Sequence, residues 1–341
     1  MKTVKPSSGA KSSGFFPVAL LFLILALLFW RSFLPDYVHF NNDGPLGQQN
    51  TDWQKLPGAF TGMWDDLNET GYSSGSFSPC VSILIKWVLG PVGFAKFYAP
   101  IGLFILGLGA WTFLRSLKLT PLAAILGAIA ILLSPTFCGG ACWGIAAVEI
   151  AVGLDFFALA LLTAGTSGVS WPVRWLRVVL AGLCVGMNVI EAADIGALCS
   201  VFVALFAFYK FIIDEPGSLP GRVIHGACRV AVVAVFAGVI AAQAIVSLIG
   251  ANVSGIDTQS AQEHWDFATQ FSLPKKETLG IIVPGLFGYK YDTPKDMMPA
   301  FKDDYQNGVY WGGIGRWPAV ARPVRRRSAR SATSADPGGR Q

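Results

Sequence analysis

The first side chains in this sequence that could do chemistry are the carboxylates between Asp36 and Pro79, in DYVHFNNDGPLGQQNTDWQKLPGAFTGMWDDLNETGYSSGSFSP. Asp36, Asp43, Asp52, Asp65, Asp66 and Glu69 stand there among the aromatic residues Trp53, Trp64 and Tyr72 and the turn-forming run Asn41-Asn42-Asp43-Gly44-Pro45. Turn formers fix the backbone, and Trp and Tyr favour the membrane–water boundary, so the stretch reads as an ordered catalytic or binding loop on a membrane surface. Asp65 and Asp66 are adjacent and could share a divalent cation, although neighbouring acids in a surface loop are more often a solvated turn. Lys55 and Lys86 are candidate counter-charges for a lipid phosphate; the plainer account is a lysine snorkelling at the interface.

Further along, Glu149, Asp155, Glu191 and Asp194 are acids embedded in apolar sequence. A carboxylate near mid-bilayer is costly, which makes Asp155 a functional candidate, with a hydrogen bond to a neighbouring helix as the structural alternative. Glu191 and Asp194 are three residues apart and share a face if helical, with Asn188 one turn earlier. They read equally as a polar hairpin tip or as a second wall of the site opened by the loop. In the segment from 251 to 317, His264, Asp266, Lys275 and Lys276 could hold a phosphate or a hydroxyl-rich acceptor among many aromatic residues. An aromatic set packed against itself is the commoner outcome.

The elements that must position these groups are mostly lipid-compatible helices. The 341 residues are 53% hydrophobic and only 14% charged, which excludes an ordinary soluble domain. Apolar runs at 17–34, 97–114, 121–134, 145–164, 176–190, 195–213 and 230–250 predict an α-helical polytopic membrane protein with about seven spans, and Val81 to Lys96 reads as an interfacial or re-entrant helix. The basic groups Lys2, Lys5 and Lys11, Arg115 and Lys118, Arg174 and Arg177, and Lys210, Arg222 and Arg229 fall in alternate connections. The positive-inside rule therefore puts the N-terminus in the cytoplasm and the loop 35–80, the turn at 136–144, the turn at 188–194 and the segment 251–317 outside the plasma membrane.

The net charge of +5 resides entirely in the last 21 residues, whose six arginines lie in a low-complexity Arg/Ala/Ser/Pro tract. Residues 318–341 read as a disordered or frame-shifted basic tail, residues 1–16 as a cytoplasmic tail, and residues 17–250 as the transmembrane domain. With the remainder balanced in charge, no basic patch points to nucleic acid. Six cysteines without paired spacing and three distant histidines, at 39, 225 and 264, argue against a zinc site. Cys138 and Cys142 read as two buried thiols one turn apart.

The layout of one span, a large outer loop with an early aspartate (NNDGPLG), an interfacial helix and the second span GFAKFYAPIGLFILGLGAWTFLRSL resembles the GT-C glycosyltransferases, and within them the YfhO-like bacterial membrane proteins. The later WDFATQFSLPKKETLGIIVPGLFGY and YWGGIGRWP are similar to the outer segment of that group. The resemblance spans roughly residues 15 to 317 and suggests an N-terminal portion of such a protein. It implies transfer of a sugar from a polyprenyl-phosphate carrier to a glycan or polymer acceptor of the cell envelope, at the outer face. Asp43 is the position that matches the family's catalytic base, and a cation on Asp65 and Asp66 would steady the leaving phosphate. No other cofactor is implied. The rival expectations are a transporter or flippase, with Asp155, Glu149 and Glu191 lining a pathway, and a non-catalytic membrane scaffold.

Overall fold

A computed structural model of the chain describes residues 15–39, 41–60, 78–165, 168–214 and 217–252, with short fragments at 64–65, 72–73, 260, 262–263, 265–266, 279, 293–294 and 309–310. Helices dominate: α1 (Phe15–Leu28), α2 (Leu46–Gln54), α3 (Val81–Ser116), α4 (Pro121–Leu132), α5 (Pro135–Trp143), α6 (Ala147–Thr163), α7 (Trp171–Glu191), α8 (Ala193–Asp214) and α9 (Leu219–Asn252). Two antiparallel ladders of two residues per strand join Trp64–Asp65 to Tyr72–Ser73 and Thr293–Pro294 to Val309–Tyr310.

The local sequence explains where the helices start. Pro121, Pro135 and Pro172 occupy first-turn positions, where the missing N–H costs nothing. Thr120 adds a side-chain cap to α4, its Oγ1 accepting from Ala123 N at 3.3 Å. Within α3, Gly90 leaves helical geometry (φ 67°, ψ 176°) just before Pro91, so the interfacial helix expected at 81–96 and the span after it form one bent run. The expected outer turn at 136–144 is largely helical, since α5 continues from α4 across a 47° bend.

Helices α3, α7, α8 and α9 are each long and apolar enough to cross a membrane, and the bent pair α4–α5 makes a fifth if it counts as one span. Their outward faces are apolar too. Phe22, Phe202, Leu126, Val239 and Val246 are each more than half exposed, a surface that water would penalise and lipid tails accept. Helices α1 and α6, 14 and 17 residues long, lie near or below the short end of the crossing range.

Two cores meet along α6. One gathers Leu21, Leu25, Phe94, Leu103, Leu106, Leu132 and Ile150 from α1, α3, α4 and α6. The other gathers Ala158, Val178, Val185, Val203, Phe211 and Val233 from α6, α7, α8 and α9. Between α3 and α6 the backbones touch: a Cβ on Gly153 would lie 3.0 Å from the Ile105 carbonyl oxygen, so only glycine fits there. Close approach through small residues is how helices gain packing energy in lipid, where tails compete with any apolar side chain.

Candidate functional site

The polar groups collect at the end of the bundle where α3 begins and α7 ends. Glu191, the last residue of α7, faces the first turn of α3: Ser82 N donates to its Oε1 at 3.0 Å and Ser82 Oγ to its Oε2 at 2.6 Å. The first N–H groups of a helix have no partner of their own and carry partial positive charge, so a carboxylate there is favourable. Glu191 thus caps α3 from another helix. Ser82 Oγ has spent its single proton on Glu191, so the Tyr98 hydroxyl, 2.8 Å away, must donate to it. The result is a buried relay, Tyr98 to Ser82 to Glu191, with Tyr98 stacked on Phe94 at 4.1 Å between ring centroids.

On its other side the Phe94 ring faces Lys86 Nζ, eight residues earlier in α3, at 5.2 Å from its centroid. Lys86 is only 7% exposed and pairs with Asp52 of α2 at 2.9 Å. The charge of Lys86, a candidate counter-charge for a lipid phosphate, is met within the protein, because α2 folds down onto the start of α3. Trp53 Nε1 ties the same helices by donating to the Trp87 carbonyl at 3.2 Å.

The Asn41–Gly44 turn docks on the far end of α5. Asp43 N donates to the Trp143 carbonyl at 3.1 Å, and His39 Nε2 donates to the Cys142 carbonyl at 2.7 Å. Gly144 makes the docking site, since its φ of 112° ends α5 in a left-handed turn and a Cβ there would stand 3.1 Å from Asn41 Cβ. The Asp43 side chain is exposed and its Oδ1 accepts from Asn42 Nδ2 at 2.9 Å. One turn back along α5, about 5.4 Å, Gly140 lies against Glu149, whose Oε1 would be 2.8 Å from a Cβ at that position. Glu149 is 1% exposed in the first turn of α6, and its Oε2 has no hydrogen-bond partner among the described residues. Tyr98 lies within electrostatic reach of both Glu149 and Glu191.

Of the residues expected from sequence, Asp43 and Glu149 converge on α5, and Glu191 and Lys86 converge on the start of α3. The shared face expected for Glu191 and Asp194 does not form. The chain leaves helical geometry at Ala192, so Glu191 turns inward while Asp194 is exposed and accepts from its neighbour, Ile195 N. Asn188 likewise turns away from Glu191 and donates to Asp155 Oδ1 at 2.7 Å, at the midpoint of α6. Lys55 is half-buried at the C-terminus of α2. Asp65 takes part in a ladder through its backbone, opposite Tyr72. Asp66, His264, Lys275 and Lys276 lie outside the described residues, as do residues 1–14 and 318–341. Cys138 and Cys142 are free thiols. Among the described residues no group of three metal-ligating side chains assembles.

Sequence reasoning missed Ser82 and Tyr98, and it named Asp52 and His39 without giving either a partner. Ser82 carried a signal, a hydroxyl in the first turn of a helix following Ser78-Pro79-Cys80, but nothing local names Glu191, 109 residues away, as its partner.

The class these features define is a helical membrane protein with several spans and a polar, carboxylate-rich end. No family model matches the sequence, and neither the curated proteins nor the solved structures contain a match to it.

Proposed function

We propose that this chain is a multi-pass plasma-membrane glycosyltransferase of the GT-C type, YfhO-like in layout, that moves a sugar from a polyprenyl-phosphate carrier to a cell-envelope acceptor at the outer face. The observation that carries the reading is Asp43: an exposed carboxylate on a turn whose backbone is pinned to the end of α5, the same short helix whose Gly140 lies against the buried Glu149. A base needs that combination of access and fixed position. In the proposed step the acceptor hydroxyl gives its proton to the Asp43 carboxylate while its oxygen bonds to the anomeric carbon. The bond from that carbon to the carrier's phosphate oxygen breaks, and the phosphate leaves with the electron pair.

The proposal includes seven crossings with a cytoplasmic N-terminus, formed by α1, α3, the α4–α5 pair, α6, α7, α8 and α9. Asp65 and Asp66 are its candidate cation ligands, and His264 a candidate acceptor contact. Asp43→Asn tests it: transfer from a radiolabelled polyprenyl-phosphate sugar in membranes should fall by about 100-fold or more, the usual weight of a positioned base, while carrier binding persists. Undiminished transfer by the variant rejects Asp43 as the base.

One observation favours a second reading, a transporter. Asp155, at the middle of α6, and Asn188, in the last turn of α7, are 5% and 0% exposed, and Asp155 Oδ2 and Asn188 Oδ1 lack partners among the described residues. Buried oxygens left open in a span are characteristic of ion or substrate pathways. A transporter would lose flux in Asp155→Asn and keep it in Asp43→Asn, the reverse of the transferase pattern.

A further inference from the structure

The opposite end of the bundle carries a different feature, independent of any transfer reaction. A cavity of about 760 Å³ opens between α3, α6 and α7 toward the lipid-facing surface. Its walls are apolar: Leu154, Phe157 and Leu161 of α6 face Leu180, Leu183 and Met187 of α7. At its mouth stand Arg115, in the last turn of α3, and Arg177, in the second turn of α7. No carboxylate lines it.

The arginines are held but not neutralised. Arg115 donates through Nη1 to the Leu119 carbonyl, and Arg177 through Nη1 to the Gly165 carbonyl at 3.1 Å. Neither forms an ion pair among the described residues, unlike Lys86, which pairs with Asp52 at the other end. Each guanidinium has five N–H donors in a fork suited to phosphate oxygens, so most of that capacity remains. Trp171, 71% exposed, and Trp175, 6.1 Å from it between ring centroids, lie at the same level of α7, as aromatic side chains do at the headgroup boundary.

The depth matches one lipid chain. From Arg177 to Met187 the lining runs ten residues along α7, about 15 Å at 1.5 Å per residue, or half of a hydrocarbon core of about 30 Å. That length equals the thickness of one leaflet's hydrocarbon.

We propose that this groove is a binding site for an anionic phospholipid, with one acyl chain between α6 and α7 and the phosphate shared by Arg115 and Arg177. Charge complementarity selects the occupant: two unpaired arginines over an apolar slot favour an anionic diacyl lipid over a zwitterionic one or a free anion. A lipid seated there fills a void that the helices leave open and gives the two arginines the counter-charge that the protein does not supply.

Native mass spectrometry of the full chain, stripped of lipid in a neutral detergent, tests this with phosphatidylglycerol and phosphatidylcholine of identical acyl chains. One phosphatidylglycerol should be retained about tenfold more tightly, in line with two basic contacts near a membrane surface. Arg115→Gln combined with Arg177→Gln should erase that preference, and Leu183→Trp should fill the slot and weaken both lipids. Lys118→Gln, a basic residue of the same end outside the groove, should change nothing. Equal retention of the two lipids by the unaltered protein overturns the proposal without any variant. So does a preference that survives the double substitution, or one that vanishes with Lys118→Gln, or tight retention of chain-free glycerol phosphate.

Discussion

Where α3 begins and α7 ends, the charged and polar side chains are buried and occupied by one another: Glu191 with Ser82, Ser82 with Tyr98, Lys86 with Asp52. Where α3 ends and α7 begins, Arg115 and Arg177 rest on backbone carbonyls and look into an apolar groove. The same two helices thus carry charge in two manners. At the first end the charge is structural, because desolvated groups must find partners inside the protein. At the second it is left for a partner outside. The difference teaches where to look for binding: a buried acid such as Glu191 is already committed to a helix cap, while the exposed Asp43 and the two groove arginines are within reach of a ligand.

The largest effect that would sharpen this contrast is expected from Asp52→Ala. Lys86 would remain buried without its counter-charge, which costs about 3 kcal/mol for the loss of one partner of a buried pair. A thermal melt in detergent should show a marked fall, and Lys86→Met combined with Asp52→Ala should recover much of it. Next comes Glu191→Ala, which strands the Ser82 N–H and hydroxyl at the start of α3. The expected loss is about 2 kcal/mol, readable as earlier melting and faster hydrogen exchange at the α3 N-terminus. Tyr98→Phe removes one hydrogen bond from the relay and keeps the stacked ring, so about 1 kcal/mol is expected. The smallest effect belongs to the other end: Arg115→Gln with Arg177→Gln should shift the lipid-free melt by less than about 0.5 kcal/mol, as surface changes do. A large loss there would break the comparison, since it would make these arginines structural as well.

Several elements were legible from sequence for a physical reason. Helices in lipid satisfy their own backbone and need apolar surface all round, so runs such as 195–213 and 230–250 mark α8 and α9 by composition alone. Their ends were less legible. Val81 to Lys96 looked interfacial because Lys86 and Pro91 interrupt it, yet it joins the following span, since Asp52 neutralises the lysine and Gly90 absorbs the bend before the proline. Helix α2 and the helical part of the turn at 136–144 were read as loop, because short polar or glycine-rich segments carry little periodic signal. At the candidate site, Asp43 stood out through its turn and Glu149 through its apolar surroundings. The separation of Glu191 from Asp194 was invisible, for it turns on the non-helical backbone of one residue, Ala192.

By itself the sequence determined the class of this protein. Apolar content and helix length are sums over residues, and lipid compatibility depends on those sums whatever the helices touch. It also determined which end of the bundle would be basic, because Arg115, Lys118, Arg174, Arg177, Arg222 and Arg229 cluster at or near alternate ends of the apolar runs. Only the tertiary structure decided which charges are spent and which are open. Asp52 reaches Lys86 across 34 residues and Glu191 reaches Ser82 across 109, while Arg115 and Arg177 meet at one groove. A charge's availability is set by the nearest opposite group or donor in space, and that neighbour is chosen by helix packing rather than by position along the chain.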